Sequence, residues 1–130
     1  MELRGRVIVK GNVAGQALVS PDPISFFGGV DPITGRITDR GHSLEGECVT
    51  GKILVFPQGK GSTVGSYVLY RMKKAGTAPA GIINRETETI VAIGAIIAAI
   101  PLVDNLDVDP IVAIKTGQRI VMHDEVIQIE

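Results

Sequence analysis

Cysteine, tryptophan and long apolar runs are what this 130-residue chain has least of. A single cysteine, Cys48, excludes an internal disulfide, and equally a zinc or iron–sulfur site built from this chain's own thiolates. With no Trp and only 4% aromatic residues, the chain lacks the stacking platforms of single-strand nucleic-acid binders. A formal net charge of -1 gives no electrostatic case for nucleic acid or an acidic membrane surface. The most apolar segment, Ile90 to Val103, is too short to span a bilayer and is interrupted by Gly94 and Pro101. The opening residues Met1 to Arg6 carry no apolar stretch of the signal-peptide kind. The expectation is a cytoplasmic, soluble protein whose thiol stays reduced.

What is present suits a folded domain. Hydrophobic residues make up 45% of the chain and charged residues 21%, which argues against disorder, and the length predicts one domain over 1–130. Sixteen glycines and seven prolines predict many tight turns. Arg6 to Lys10 is strand-like, Gly11-Asn12 punctuates it, and Gln16 to Val19 resumes. A long irregular stretch from Ser20 to about Gly35 follows; Phe26-Phe27 in its middle argues against disorder. Arg36 to Thr38 suggests a short strand.

Beyond Gly51 the pattern changes. Lys52 to Phe56 is a continuous apolar run of the buried parallel kind. Thr63 to Ala75 reads as a helix with Val64, Val68 and Met72 on one face beside Tyr67, stopped at Gly76. Ala80 to Ile83 is a second strand, Thr87 to about Ala99 a helix apolar nearly all round and so expected to be buried, and Pro101 to Val103 a third strand. Right-handed crossovers then give a parallel centre. Arg119 to His123 and Val126 to Ile129, joined at Asp124-Glu125, predict an antiparallel hairpin. The fold class is α/β, with parallel central strands and antiparallel pairing from the chain ends.

Ligands of open α/β sheets bind beyond the carboxyl ends of the parallel strands. There the sequence gathers Lys60, Ser62, Thr63, Asn84, Arg85, Asp104 and Asn105, a partly cationic rim suited to a small anion. The loop Gly59 to Ser66, GKGSTVGS, is not a Walker A sequence, because Leu54 and Gly61 stand where that motif needs Gly and Ser/Thr. Nor is it Gly-x-Gly-x-x-Gly, since Val64 replaces the third glycine. Ser62 therefore reads in two ways. It can be a helix N-cap, or a reactive hydroxyl stabilised as an anion by helix-terminal N–H groups and Lys60. The glycine-rich segment around Gly28, Gly29 and Asp31 reads as a packed Ω-loop with an Asp-Pro turn or as a substrate lid. His42 and His123 read as surface or structural, Cys48 as a small buried hydrophobe, and Glu86 and Glu88 as helix-start carboxylates.

The string from Ser25 to Met72 resembles the aconitase X family, in its archaeal two-subunit form, at the small swivel-domain subunit. The resemblance is carried by Phe27 to Gly35 (FGGVDPITG), Gly51 to Val55, Gly61-Ser62, Ala78 to Ile83 and Ile100 to Val103, and so covers nearly the whole chain. It implies a swivelling β/β/α domain paired with a larger catalytic subunit, as a heterodimer or a dimer of heterodimers. It also implies an iron–sulfur cluster, of the [4Fe-4S] kind, held by that subunit and not by this chain. The implied reaction is dehydration of (R)-5-phosphomevalonate to trans-anhydromevalonate 5-phosphate, in a mevalonate route to isoprenoids. A cluster iron would polarise the departing hydroxyl while Ser62 takes a proton from the carbon next to the carboxylate. Lys60, Gly61, Thr63, Gly28, Gly29, Asp31 and Arg85 are then the candidate substrate-binding residues. Lys60 stands where related small subunits often carry Arg, keeping the charge without the bidentate fork. Two other readings stay open. One is a dehydratase subunit for another hydroxy acid, such as hydroxyproline; the other is a non-catalytic binding or regulatory module.

Overall fold

The computed structural model describes all of residues 1–130. Eight strands form one sheet: β1 (Glu2–Arg4), β2 (Arg6–Val9), β3 (Asn12–Val19), β4 (Ile53–Phe56), β5 (Gly81–Asn84), β6 (Leu102–Asp104), β7 (Arg119–His123) and β8 (Val126–Ile129). Their spatial order is β1-β8-β7-β3-β4-β5-β6-β2. The centre is parallel, β3 to β4, β4 to β5 and β5 to β6, whereas β7, β8, β1 and β2 pair antiparallel. Four helical segments accompany them: α1 (Phe26–Gly29), α2 (Gly65–Ala75), α3 (Thr89–Ala98) and α4 (Pro110–Ala113).

Strand β3 belongs to two layers. Its first half, Asn12 to Gln16, pairs with β7, and its second half, Ala17 to Val19, pairs with β4. The hairpin sheet thereby folds back across one face of the parallel strands. Period-two alternation then sorts β4 cleanly. Leu54 and Phe56 pack with Leu69, Met72, Val91 and Ala95 of α2 and α3, while Ile53 and Val55 pack with Ile120, Met122 and Ile127 of the hairpin. Every residue of β4 and β5 is buried, which is why β4 reads as an unbroken apolar run and why Asn84, ending β5, has its side-chain amide paired with the Phe56 carbonyl. The result is the expected β/β/α arrangement.

The helices sit close together. A Cβ on Gly94 would stand 2.6 Å from Leu69 Cδ1 and 3.2 Å from Ser66 Cα, so the α2–α3 contact depends on glycine at that crossing. Gly76 ends α2 in the left-handed region at φ 78°, as its position suggested. Glu88 caps α3 with both carboxylate oxygens, accepting from the Ile90 and Val91 amides at 2.7 and 2.8 Å.

Four expectations are corrected. The face α2 buries is Gly65, Ser66, Leu69 and Met72, whereas Val64 and Tyr67 are 45% and 68% exposed. Including Val64 in the helix shifted the phase of the pattern; it lies at the cap position, before the helical residues begin. Helix α3 is not buried all round, since Ile93, Ile96 and Ile97 face solvent. Its apolar count reflects two distinct surfaces, only one of them packed on the sheet. Cys48 is half-buried rather than a core residue, and its thiol lies 3.3 Å from the Thr50 hydroxyl. Arg36 to Thr38 forms isolated bridges, Arg36 to Cys48 and Ile37 to Val30, not a strand. Strand β1 and helix α4 escaped the sequence pattern because three and four residues are too few to show a period.

Candidate functional site

The loop after β4 carries the site. Lys60 is anchored on one side, its amide donating to the Ile24 carbonyl at 3.1 Å. Gly61 follows at φ 89°, a conformation that side chains resist, and Ser62, Thr63 and Val64 then turn into α2. The amides of Gly61, Ser62 and Thr63 donate to no acceptor in the chain. Three successive unpaired N–H groups thus lie at the positive end of an 11-residue helix, where negative charge is favoured.

Ser62 is exposed, and its Oγ accepts from the Val64 amide at 3.2 Å. This bond closes a local turn ahead of the helix. The N-cap position is Val64, which makes no side-chain cap. The capping reading of Ser62 is met just ahead of the assigned helix, its Oγ accepting from the Val64 amide and its carbonyl from the Gly65 amide at 3.0 Å, while the residue stays exposed. Ser66, one turn on, does the structural work by donating to the Thr63 carbonyl at 2.9 Å.

Beside this loop lies an open cleft of about 400 Å³ lined by Ser25, Phe27, Gly28, Gly29, Asp39, Lys60 and Gly61. Four of the sequence candidates, Gly28, Gly29, Lys60 and Gly61, thus meet at one concavity. The glycine-rich segment reaches it as a packed loop. Phe26 is buried edge-on to Phe56 with ring centroids 6.0 Å apart, and the Thr38 amide donates to the Gly29 carbonyl at 2.9 Å. Thr63 lies on the other side of the turn, in a groove with Val64, Tyr67 and Ile90.

Asp31 and Arg85 are not brought to this cleft. Asp31 makes the Asp-Pro turn, its Oδ1 accepting from the Ile33 amide at 2.9 Å. Arg85 forms a fork to Asp109, Nε to Oδ1 at 3.2 Å and NH2 to Oδ2 at 3.0 Å, and this partner holds Asp109 below the usual carboxylate range. The broader rim also contracts. Asn84 is buried, donating to the Phe56 carbonyl at 3.0 Å, and Asp104 is buried against Arg6. Asp39 and Ser25 line the cleft without having been singled out. Neither sits in a motif; both arrive through the fold-back that pairs Val30 with Ile37 and Ile24 with Gly59. His42 is structural as expected, with Nε2 2.9 Å from the Pro23 carbonyl and Nδ1 accepting from the Leu44 amide at 3.0 Å.

Asp104 pins the frame beneath the site. It accepts from Arg6 at 2.9 and 2.7 Å and from the Thr87 amide at 2.8 Å. Burial opposes its ionisation, but the Arg6 and Thr87 bonds win and hold its carboxyl below the ordinary range. A depressed folded pKa gives stability that is present above the unfolded value of about 3.9 and is lost as pH falls through the folded value. Asp104→Asn is expected to lower unfolding free energy by about 2 kcal/mol at neutral pH and to make the acid loss below about pH 4 shallower. Urea titrations from pH 7 to pH 2 on both proteins check this.

No three His, Cys, Asp or Glu side chains group together as metal ligands, and Cys48 is engaged with Thr50. This chain's own residues do not fit a metal cluster. What fold and loop define is a β/β/α domain with an open cleft beside a turn whose amides are unpaired.

The chain belongs to the aconitase X family: the family's swivel-domain model matches residues 2–129. The phosphomevalonate dehydratase small subunit of Methanosarcina mazei is 54% identical over 95% of this chain and 85% of its own length. The protein of the same name from Thermococcus gammatolerans is 57% identical over 92% of this chain and 89% of its own. Among solved structures, the holo-form crystal structure of Thermococcus kodakaraensis aconitase X superposes with a TM-score of 0.95 at 49% identity, covering 100% of this chain and 98% of that one. A solution NMR structure of a UPF0107 protein gives 0.91 at 46% identity, covering 100% and 99%. No helix here is long and apolar enough to cross a membrane.

Proposed function

We propose that residues 1–130 act as one swivel domain, the small subunit of a hydro-lyase that dehydrates (R)-5-phosphomevalonate to trans-anhydromevalonate 5-phosphate. The observation that carries this reading is the agreement between relatives bearing that enzyme's name, at 53–57% identity across nine tenths or more of the chain, and an exposed Ser62 on an amide-rich turn. A larger subunit completes the enzyme and carries the iron–sulfur cluster, which when bound supplies Lewis-acid polarisation of the departing hydroxyl.

This chain supplies the proton acceptor and part of the anion site. Ser62 Oγ takes the proton from the carbon next to the substrate carboxylate; the C–H electrons form the new double bond as hydroxide leaves the adjacent carbon, and the net product is water. A free serine hydroxyl is a weak base, so its surroundings must favour the alkoxide. The free amides, the positive end of α2 and Lys60 all act in that direction, more strongly once the subunits close and exclude water. The same groups stabilise the charge that develops on the substrate carboxylate. Lys60 meets the cleft without giving up a partner, whereas Arg85 would first have to release Asp109.

The test is reconstitution. The chain mixed with its large subunit is expected to convert (R)-5-phosphomevalonate, while neither component does so alone. Turnover of hydroxyproline with no action on the phosphorylated acid would favour the other substrate class instead. A large subunit fully active by itself would leave this chain a regulatory module.

A further inference from the structure

Helix α3 contains no charged residue, and three of its isoleucines are open to solvent: Ile93 at 46%, Ile96 at 57% and Ile97 at 42%. Val64 at 45% and Tyr67 at 68% continue the surface across to α2, and with Ile90 and Ile93 they line a groove of about 290 Å³. A soluble helix with no polar outer face lacks a partner. The surface is also lopsided in charge. Helices α2 and α3 together carry Arg71, Lys73 and Lys74 and no Asp or Glu, although the whole chain has a net charge of -1.

We infer that this α2/α3 face docks the large subunit, through an apolar seam on that partner edged by carboxylates. The inference rests on the function proposed above, and continuity fixes the occupant. Ser62 is exposed between the Lys60 cleft and this groove, which begins at the next residue, so a partner that closes over Ser62 meets the rim of the groove. A second copy of this chain would bring no carboxylate on α2 or α3 to meet Arg71, Lys73 and Lys74. An apolar seam with a complementary charged rim is the usual anatomy of a stable interface.

The experiment uses the intact pair. Ile93→Glu combined with Ile96→Glu changes only exposed side chains and is expected to weaken binding of the large subunit roughly 30-fold or more, without lowering the melting temperature of the free chain. Val112→Glu, at a position 76% exposed on α4, is expected to bind as wild type does. As a readout needing no variant, amides in 63–70 and 89–98 are expected to exchange about tenfold more slowly in the pair than in the free chain. Unchanged affinity in the double variant, or unchanged exchange over both segments, overturns the inference while leaving the proposed function standing. A free chain that dimerises, or binds phosphatidylcholine–phosphatidylserine vesicles, through this face while the double variant still pairs normally also overturns it. Absence of any wild-type pairing sinks both readings.

Discussion

Ser62→Ala is expected to lower the dehydration rate of the assembled pair by about a thousandfold or more, within the range of a lost general base. Subunit affinity, cluster content and melting temperature are expected to stay as in wild type. The reason for that separation is geometric. Ser62 is exposed, and the only bond its side chain makes within the chain is the one Oγ accepts from the Val64 amide. Removing the oxygen releases one N–H to solvent and breaks no packing contact of the core. Parallel measurement of turnover, iron content and sedimentation decides the matter. Turnover within about threefold of wild type would make the serine a turn-former and return the proton transfer to the partner, because a true acceptor is worth far more than that.

Gly61→Ala probes the same chemistry through the backbone. At φ 89° an alanine costs about 1–2 kcal/mol, and its Cβ would stand 2.5 Å from Ser25 Oγ. That hydroxyl is committed to the Phe27 carbonyl at 3.0 Å, and Lys60 is tied to Ile24, so the loop has little freedom upstream. The displacement passes downstream into Ser62 and Thr63. A shift of about 1 Å at a proton-transfer atom costs about a hundredfold in rate, which is the loss expected in kcat of the reconstituted pair. Gly28→Ala separates the two contributions. Gly28 has nearly the same φ, 88°, but no atom within 4 Å of its added Cβ. Its stability loss is expected to be the φ cost alone, smaller than that of Gly61→Ala, with a smaller loss of rate as well.

These expectations rest on parts of the molecule that differ in how far they could be read from residue order. The parallel centre was legible because burial on both faces leaves no polar residue to interrupt Ile53 to Phe56, and because the end of α2 carries a local signal in Gly76. The loop from Lys60 to Thr63 was legible through its glycines and the family resemblance. The outer face of α3 was not, since an isoleucine exposed on a helix and one packed in the core are the same letter. Arg85 misled for a related reason. Its place at the end of a parallel strand suggested a ligand, but the chain supplies Asp109 from 24 residues away. Cleft residues Asp39 and Ser25 come together only through bridges between distant segments, which no local period encodes.

The strand order has a bearing on how the chain matures. Glu2 pairs with Gln128 and Arg6 with Asp104, so β1 and β2, joined by Gly5 alone, occupy opposite borders of the sheet. Strand β2 must wait for β6 and β1 for β8, each a distant partner along the chain. The central strands and both long helices can gather during synthesis, but the opening nine residues must wait with bare hydrogen-bonding edges, a period in which aggregation competes with closure. Sealing is thus a late step of folding.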